Sequence, residues 1–526
     1  MSHQDSVNTR ANSRIFAGHL VVALLVFLFA NRAKTQEPTP PGTVFQTSSN
    51  LVVLDVVVTD HAGKSITGLT QDDFTVLEDG VAQSITSFEI PPGGNLPASA
   101  IATGNRQDTK TTGPAKAASP QALTILVIDE LNTEVLDEMY ARQGIEKFLA
   151  KRGPHLAQPT SLMLLGQKRL ELLQDYTQDA HALTAALYHR HPELPFGLMA
   201  SEFGGSSERL AKSLWALSQI AAANSHHEGR KNVIWVGPGF PALNSRMLDP
   251  ADRPRFVNAV TESANQLLKA RVSVYTVNPK GLETAPTTYQ SGVGDSLVSE
   301  SGDQATGDLI FESIAPDTGG EIFRLRNDVD VAIAESANDG SSYYSLAYYP
   351  TNHNWNGKYR RIKIVLRGQG LQARTRKGYF AIPDLPLTDE QVDTVLSRAV
   401  MNPLPYRALE IEAKAKSAGA GKGRFLIRVD RHNLHWETLS NGNRRCEVTV
   451  VVAGVGGDDK VYSHKVTELE SVVDSKRFEQ QLNRPVAFDV VADLPPKTKH
   501  VRIVVRDAHS DHIGSADLSR DALPFR

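Results

Sequence analysis

A single cysteine, Cys446, stands in 526 residues, which removes internal disulfides and any cysteine-built metal cluster. It lies in the alternating run Arg445-Cys446-Glu447-Val448-Thr449-Val450, where a thiol packs on a sheet face. Positive charge is not in surplus either: 56 Lys plus Arg face 59 Asp plus Glu, a net charge of -3. A chain that displaces phosphate counterions needs a basic excess, so nucleic acid is not an expected partner. The Gly-x-Ser-x-Gly elbow, the phosphate-binding Gly-Lys-Ser/Thr loop and the dinucleotide glycine fingerprint are all missing from a strand-to-helix context. Gly237-Pro238-Gly239 does follow an apolar run, but proline supplies no N–H to cradle a phosphate. These absences leave no catalytic class supported.

Long apolar runs are scarce as well. The run from Ile15 to Ala30, interrupted by His19 and preceded by Arg10 and Arg14, is shorter than the roughly 20 residues a spanning helix requires. A basic flank, a run of this length and a proline-rich continuation form an export signal. Residues 1–36 therefore read as a signal peptide, with an uncleaved N-terminal anchor as the alternative because Asn31 precedes Ala33 where a small residue is usual. The expected location is the periplasm or the extracellular space. Contact with a membrane is expected only through that segment if it is retained.

With 40% hydrophobic and 22% charged residues, the remainder has globular composition and is too long for one core. Residues 44–90 read as a small β-rich unit: Val52, Leu54, Val56 and Val58 alternate, and Asp79-Gly80 marks a hairpin turn. The acidic residues Asp72, Asp73, Glu78 and Asp79 lack the spacing of a calcium loop and read as turn and solvent-face positions. Residues 91–120, rich in Gly, Ala, Thr and Pro, form a flexible linker.

From 121 to 340 short apolar runs alternate with helical patterns: strands at 123–128, 161–165, 232–236, 272–277 and 321–323, and helices at 134–149, 179–189, 208–223, 253–269, 309–316 and 329–337. Such alternation predicts an α/β domain, a mostly parallel sheet with helices on both faces and ligands at the carboxyl ends of its strands. Residues 341–383 read as a β-hairpin extension, with strands at 343–349, 359–366 and 372–380. Residues 384–526 read as a C-terminal β-sandwich-like domain, opened by a helix with Thr388 as N-cap.

Two residue groups admit chemistry but favour plainer roles. His226-His227-Glu228, His189 with His191, and His509 with His512 beside Asp507 and Asp511 lack the helical spacing of paired metal ligands and read as solvated loops. Tyr343, Tyr344, Tyr348 and Tyr349 suit strand-face packing better than sugar or peptide binding.

Five ordered segments carry a resemblance. They are Leu69-Thr70-Gln71-Asp72-Asp73-Phe74 with Glu78-Asp79-Gly80, Leu126-Val127-Ile128-Asp129-Glu130-Leu131-Asn132-Thr133, Gly229-Arg230-Lys231-Asn232-Val233-Ile234-Trp235-Val236, Asp339-Gly340-Ser341-Ser342-Tyr343-Tyr344, and Arg376-Lys377-Gly378-Tyr379-Phe380. Over residues 45–382 the chain resembles exported bacterial proteins of the VWFA-related family, also called the acidobacterial VWFA domain family. The resemblance implies a von Willebrand factor A-like, Rossmann-like fold flanked by β-rich N-terminal and C-terminal units. It also implies an adhesion site at the strand ends, where Asp-x-Ser-x-Ser, a later hydroxyl and a further carboxylate hold magnesium or manganese through oxygen. Here that pattern reads Asp129, Leu131 and Thr133, with Asn132 offering a carbonyl oxygen. The later hydroxyl corresponds to Ser206, and the last carboxylate falls in Gly237-Pro238-Gly239. A leucine and a proline at ligand positions make this a degenerate site, and no cofactor is expected, with magnesium or manganese as the alternative.

The resulting expectation is an exported, non-catalytic adhesion-type protein. Asp129, Asn132, Thr133, Ser206, Gly237 and Pro238 form its contact face for an unidentified protein or envelope component. The alternative is a structural envelope scaffold with no ligand at that face, and an enzyme of unknown class stands third.

Overall fold

The computed structural model describes residues 51–90, 122–189, 204–240, 253–282, 314–383, 385–419, 421–520 and 523. The proposed signal segment and the linker lie outside these residues. The chain forms two compact units, one holding Leu51–Ala408 and the other Leu409–Arg526.

The first unit opens with β1 (Val52–Thr59), β2 (Phe74–Glu78), β3 (Val81–Gln83) and β4 (Ile85–Glu89). Between β2 and β3, Asp79 and Gly80 both take positive φ, 48° and 83°, which is the backbone a two-residue hairpin of right-handed twist demands. There follow β5 (Leu123–Asp129), α1 (Val135–Arg152), β6 (His155–Leu165), β7 (Leu170–Asp179), α2 (Ala180–His189), α3 (Gly204–Asn224), β8 (Lys231–Val236), α4 (Arg253–Lys269), β9 (Val272–Val277), α5 (Ile314–Asp317), β10 (Ile322–Phe323) and α6 (Val329–Asp339). The unit closes with β11 (Tyr344–Tyr348), β12 (Tyr359–Leu366), β13 (Gln372–Arg374), β14 (Gly378–Phe380) and α7 (Asp389–Met401).

Six of these strands form one sheet in the order β10-β9-β8-β5-β6-β7. Every pairing is parallel except β6 with β7. The chain starts at the centre, winds outward to one edge, then returns past β5 to build the other, so direction reverses between β5 and β8. At such a reversal the connecting loops diverge and leave a crevice at the carboxyl ends. β5, β8 and β9 are buried along their whole length, as expected of strands covered on both faces. Ile125, Val127, Val233 and Trp235 face one core with α3 and α4. Leu126, Ile128, Ile234 and Val236 face the other with α1, α2 and α6. The fold class is therefore mixed α/β, a mostly parallel sheet between helices, accompanied by antiparallel sheets.

β7 went unpredicted. Its sequence, LELLQDYTQD, does not alternate, and as an antiparallel edge strand it stays half-buried along nearly its whole length. The segment expected as one strand over 372–380 is two short ones in different sheets, divided at residues 375–377. The β segments expected apart at 44–90 and 341–383 share two sheets, β13-β1-β11-β4 and β14-β12-β2-β3. Leu54, Val56, Phe74, Val76, Leu346 and Tyr348 build their common core.

Glu78 on β2 is tied into this core rather than to solvent. It accepts hydrogen bonds from Tyr348 at 2.7 Å and Tyr379 at 2.9 Å and pairs with Arg360 at 3.1 Å. Asp73 accepts from the Thr70 backbone at 2.8 Å in a capping box, and Asp79 from the Arg361 backbone at 2.8 Å. Of the four tyrosines, Tyr343, Tyr344 and Tyr348 are buried and Tyr349 is exposed.

Helix α7 differs from expectation in its allegiance. Thr388 caps it through Gln391 in a capping box. Yet it belongs to the first unit, where Arg398 pairs with Glu262 and Asn402 donates to the Gln219 carbonyl at 3.2 Å.

The second unit contains β15 (Ile411–Ser417), β16 (Lys422–Val429), β17 (Glu437–Thr438), β18 (Arg444–Val455), β19 (Val461–Val473), α8 (Ser475–Gln480), β20 (Val486–Asp493), β21 (His500–Asp507) and β22 (Ile513–Ser519). Two antiparallel sheets enclose one core of Phe425, Ile427, Val448, Val450, Phe488, Val490 and Ile503. Cys446 is buried in that core, and burial pushes its thiol up to about 12, so it packs as a small apolar group.

Candidate functional site

Period-two alternation carries the face of β5 that bears Ile125 and Val127 onward to Asp129, the last residue of the strand. The same alternation turns Trp235 of β8 toward that face. Asp129 is fully buried and is met by four N–H contacts from two residues. The Asn132 backbone donates to Oδ1 at 3.0 Å, which closes an Asx turn. The Asn132 amide Nδ2 lies 3.1 Å from Oδ1 and 2.9 Å from Oδ2. The Trp235 indole donates to Oδ2 at 2.8 Å. Burial nevertheless dominates, and Asp129 is pushed up to about 6 against those hydrogen bonds.

Around this carboxylate the cluster is tight. Asn132 Nδ2 also reaches Ser213 Oγ of α3 at 3.1 Å, and Ser213 in turn donates to the Arg209 carbonyl at 3.0 Å. Gly237 follows β8 directly, with its N–H on the Val277 carbonyl at 2.9 Å. A Cβ on Gly237 would meet Asp129 Cβ at 2.7 Å and Thr133 Oγ1 at 3.1 Å, so only glycine lets the two strand ends approach. Thr133 Oγ1 and Asn132 Oδ1 are buried and unpartnered among the described residues. Pro238 is exposed at the rim. Phe240 packs on Trp235 with ring centroids 5.1 Å apart.

The structure thus brings Asp129, Asn132, Thr133 and Gly237 together, with Pro238 beside them. Ser206 falls in α3, but its side chain lies outside the described residues. Trp235 and Ser213 complete the cluster and were missed from sequence. The signal for Trp235 was present, because it shares the parity of Val233 and faces the same layer as Asp129.

A hard divalent cation does not fit this arrangement. Such an ion needs several oxygen ligands, usually with more than one charge, and here both carboxylate oxygens are occupied by N–H donors. Leu131 is buried in the apolar core and provides no oxygen. Among the described residues no group of three or more His, Cys, Asp or Glu side chains is placed to hold a metal. His227 is partly buried, with its ring 5.9 Å from that of Tyr176, and burial lowers its pKa. His435 and His509 stack at 5.4 Å, while the backbone N–H groups of His435, His509 and Ser510 all donate to Asp507.

A second polar group sits on the opposite side of the same loop. Arg142 of α1 donates to Glu130 at 2.7 Å, to Glu138 at 2.8 Å and to the Leu187 carbonyl at 2.9 Å. One guanidinium serves two buried carboxylates, and burial followed by the neighbouring Glu138 pushes Glu130 upward. Beyond this group the first turns of α1 are apolar and open to solvent: Leu136 is 70% exposed, Met139 62% and Tyr140 58%.

No family model matches the chain, and no curated protein matches it. Among solved structures it is similar to the VWA domain of SpRpn10, with 12% identity, a TM-score of 0.22, and 42% of this chain and 96% of that chain covered. It is also similar to the N-terminal domain of TFIIH p34, with 11% identity, a TM-score of 0.20, and 41% and 96% covered. The manganese-loaded TRAP protein of Plasmodium vivax gives 9% identity, a TM-score of 0.24, and 68% and 94% covered.

Proposed function

We propose that this chain is an exported, non-catalytic binding protein whose von Willebrand factor A-like domain engages a protein partner at the carboxyl ends of its sheet, without a metal ion. The observation that carries this reading is the exposure of Leu136, Met139 and Tyr140 on α1, directly after the Asp129 loop. They recur at i, i+3 and i+4, so they form one stripe on the helix. Apolar side chains gathered in this way mark a surface that excludes water on meeting another protein. The Asp129 cluster lies at the start of the loop that leads into α1. Asn132 and Trp235 satisfy the carboxylate that a cation satisfies in metal-dependent adhesion, so the loop that launches α1 is fixed internally.

Placing a photo-crosslinking residue at 136, 139 and, as control, 363 in cells that make the protein tests this. A discrete adduct from 136 and 139 but not 363 is expected. The purified partner should then bind saturably, and the double variant Leu136→Ser, Met139→Ser should abolish that binding. Equal background from all three positions would overturn the reading. It would favour the structural scaffold, which the internal saturation of Asp129 also suits. Export is tested separately by fractionation and by sequencing the mature N-terminus.

A further inference from the structure

The second unit carries a face that the proposed function leaves unused. β15, β16 and β20 form one antiparallel sheet whose inner face packs into the core through Phe425, Ile427, Phe488 and Val490. Period-two alternation sends the intervening side chains outward, and the exposed positions follow it. Five cations stand on that outer face, Lys414 and Lys416 of β15 and Lys422, Arg424 and Arg428 of β16, against the three carboxylates of Glu412, Asp489 and Asp493. The excess is local, because the whole chain has a net charge of -3.

The carboxylates are all engaged. Glu412 serves both Lys414 at 3.0 Å and Arg428 at 3.5 Å, Asp493 pairs with Lys422 at 3.6 Å, and Asp489 lies 3.8 Å from Arg424. Lys416 has no ion pair among the described residues. It sits directly opposite Arg424 across the ladder, and like charges so placed destabilise an antiparallel pair. Lysines on an edge strand such as β15 guard it against stray pairing. That role does not extend to β16, the central strand of the sheet, where Lys422 and Arg424 add to the same charge.

A pair that opposes folding is kept where another use requires it. We infer that this face docks an extended acidic peptide, a glutamate- or aspartate-rich segment of a partner protein. Lys414 and Lys416, like Lys422 and Arg424, are two residues apart along their strand, about 6.7 Å. Alternate side chains of an extended peptide recur at that same distance, so its carboxylates meet the cations in step, and charge-assisted hydrogen bonds hold them. Leu426 lies between Lys414 and Asp489, and the exposed Val491 lies beside Arg424, which gives the peptide apolar contact between its charges. Among the described residues, the outward positions of the three strands hold no aromatic side chain. A nucleobase or a sugar ring therefore finds no stacking partner there.

The test is fluorescence anisotropy of a labelled peptide of alternating Glu and Thr, titrated with the full chain at low salt. Saturable binding that weakens as salt rises is expected, and Lys416→Glu combined with Arg424→Glu should weaken it about tenfold. Lys416→Glu alone separates docking from folding, because it places a carboxylate opposite Arg424. It should bind the peptide less tightly while its Tm is no lower than that of the wild type. Lys64→Glu, at an exposed position of the first unit, should bind as the wild type does. Absent binding, undiminished binding by the double variant, or a lowered Tm in Lys416→Glu would each overturn the docking face. Tighter binding of alginate or of single-stranded DNA than of the peptide would overturn the choice of occupant.

Discussion

Trp235 of β8 donates its indole N–H to Asp129 of β5 at 2.8 Å, joining the two strands between which the sheet reverses direction. The bond is fully buried, and it fixes a carboxylate that burial disfavours. Trp235→Phe keeps the ring packing on Phe240 and removes the donor. A hydrogen bond to a charged group contributes about 1.5–3 kcal/mol, so a loss of that order is expected at pH 7. It should shrink below the Asp129 pKa, where the carboxyl is neutral. Denaturant unfolding of both proteins at pH 7 and pH 4.5 checks this, and an equal loss at the two pH values would contradict it.

The pH dependence of the first unit follows from the same residue. Asp129 titrates near 6 in the folded chain against an ordinary 3.8, so the native state binds the proton more tightly than the unfolded chain. Stability from this group is therefore highest at low pH, falls as pH rises from about 4 to about 6, and is level above that. The fall amounts to about 3 kcal/mol at about 1.4 kcal/mol per pH unit. Asp129→Asn should lack that slope, so the difference between variant and wild-type stability should change by that amount between pH 4 and pH 6. Glu130 is pushed in the same direction by burial and Glu138 and leaves its own slope in both proteins. A difference that does not change between pH 4 and pH 6 would mean that Asp129 is not perturbed.

How much of this was legible in the sequence depended on which physical signal each residue obeyed. The buried parallel strands were readable because β5, β8 and β9 are short β-branched runs bounded by polar turns. α4 and α7 were readable from period and cap. β7 was not, because a half-buried edge strand need not alternate. The sharing of sheets between residues 52–89 and 344–380 was also hidden, since Glu78 and Arg360 meet across 282 positions and no local pattern encodes such a partner. At the site, Asp129, Asn132 and Thr133 were named from motif spacing. Ser213 was not, because its role depends on how α3 packs over the strand ends.

That long-range pair predicts a specific weakness. Glu78 is buried against Arg360, Tyr348 and Tyr379, and removing one partner of a buried ion pair costs about 3–5 kcal/mol. Glu78→Ala should lower stability by that order and free the 51–90 segment to proteolysis before the central sheet. Limited proteolysis with mass mapping reads it out, and unchanged protection of that segment would contradict the assignment.

Gly237→Ala tests the closeness of the two strand ends. A methyl group would sit 2.7 Å from Asp129 Cβ, and forcing atoms into a packed site costs about 1–3 kcal/mol. The variant should fold with Tm lowered by several degrees. Its Asp129 titration should also be displaced, because the methyl pushes the carboxylate off Trp235. A wild-type Tm would show that the loop yields freely and does not fix the base of α1.

The last expectation concerns magnesium and manganese. A cation at Asp129 has to displace the Asn132 amide, which spans both carboxylate oxygens, and then find further oxygen where Leu131 is packed in the core. Titrating either ion into the wild-type chain should therefore give no saturable heat and leave Tm unchanged. Asn132→Ser combined with Leu131→Ser removes the blocking amide and supplies two hydroxyls around Asp129 and Thr133. If the amide is what excludes the ion, the double variant should gain a measurable manganese response that Asp129→Ala then abolishes. Saturable binding by the wild type, lost in Asp129→Ala, would instead mean that Asn132 swings aside and that the face works with a metal after all.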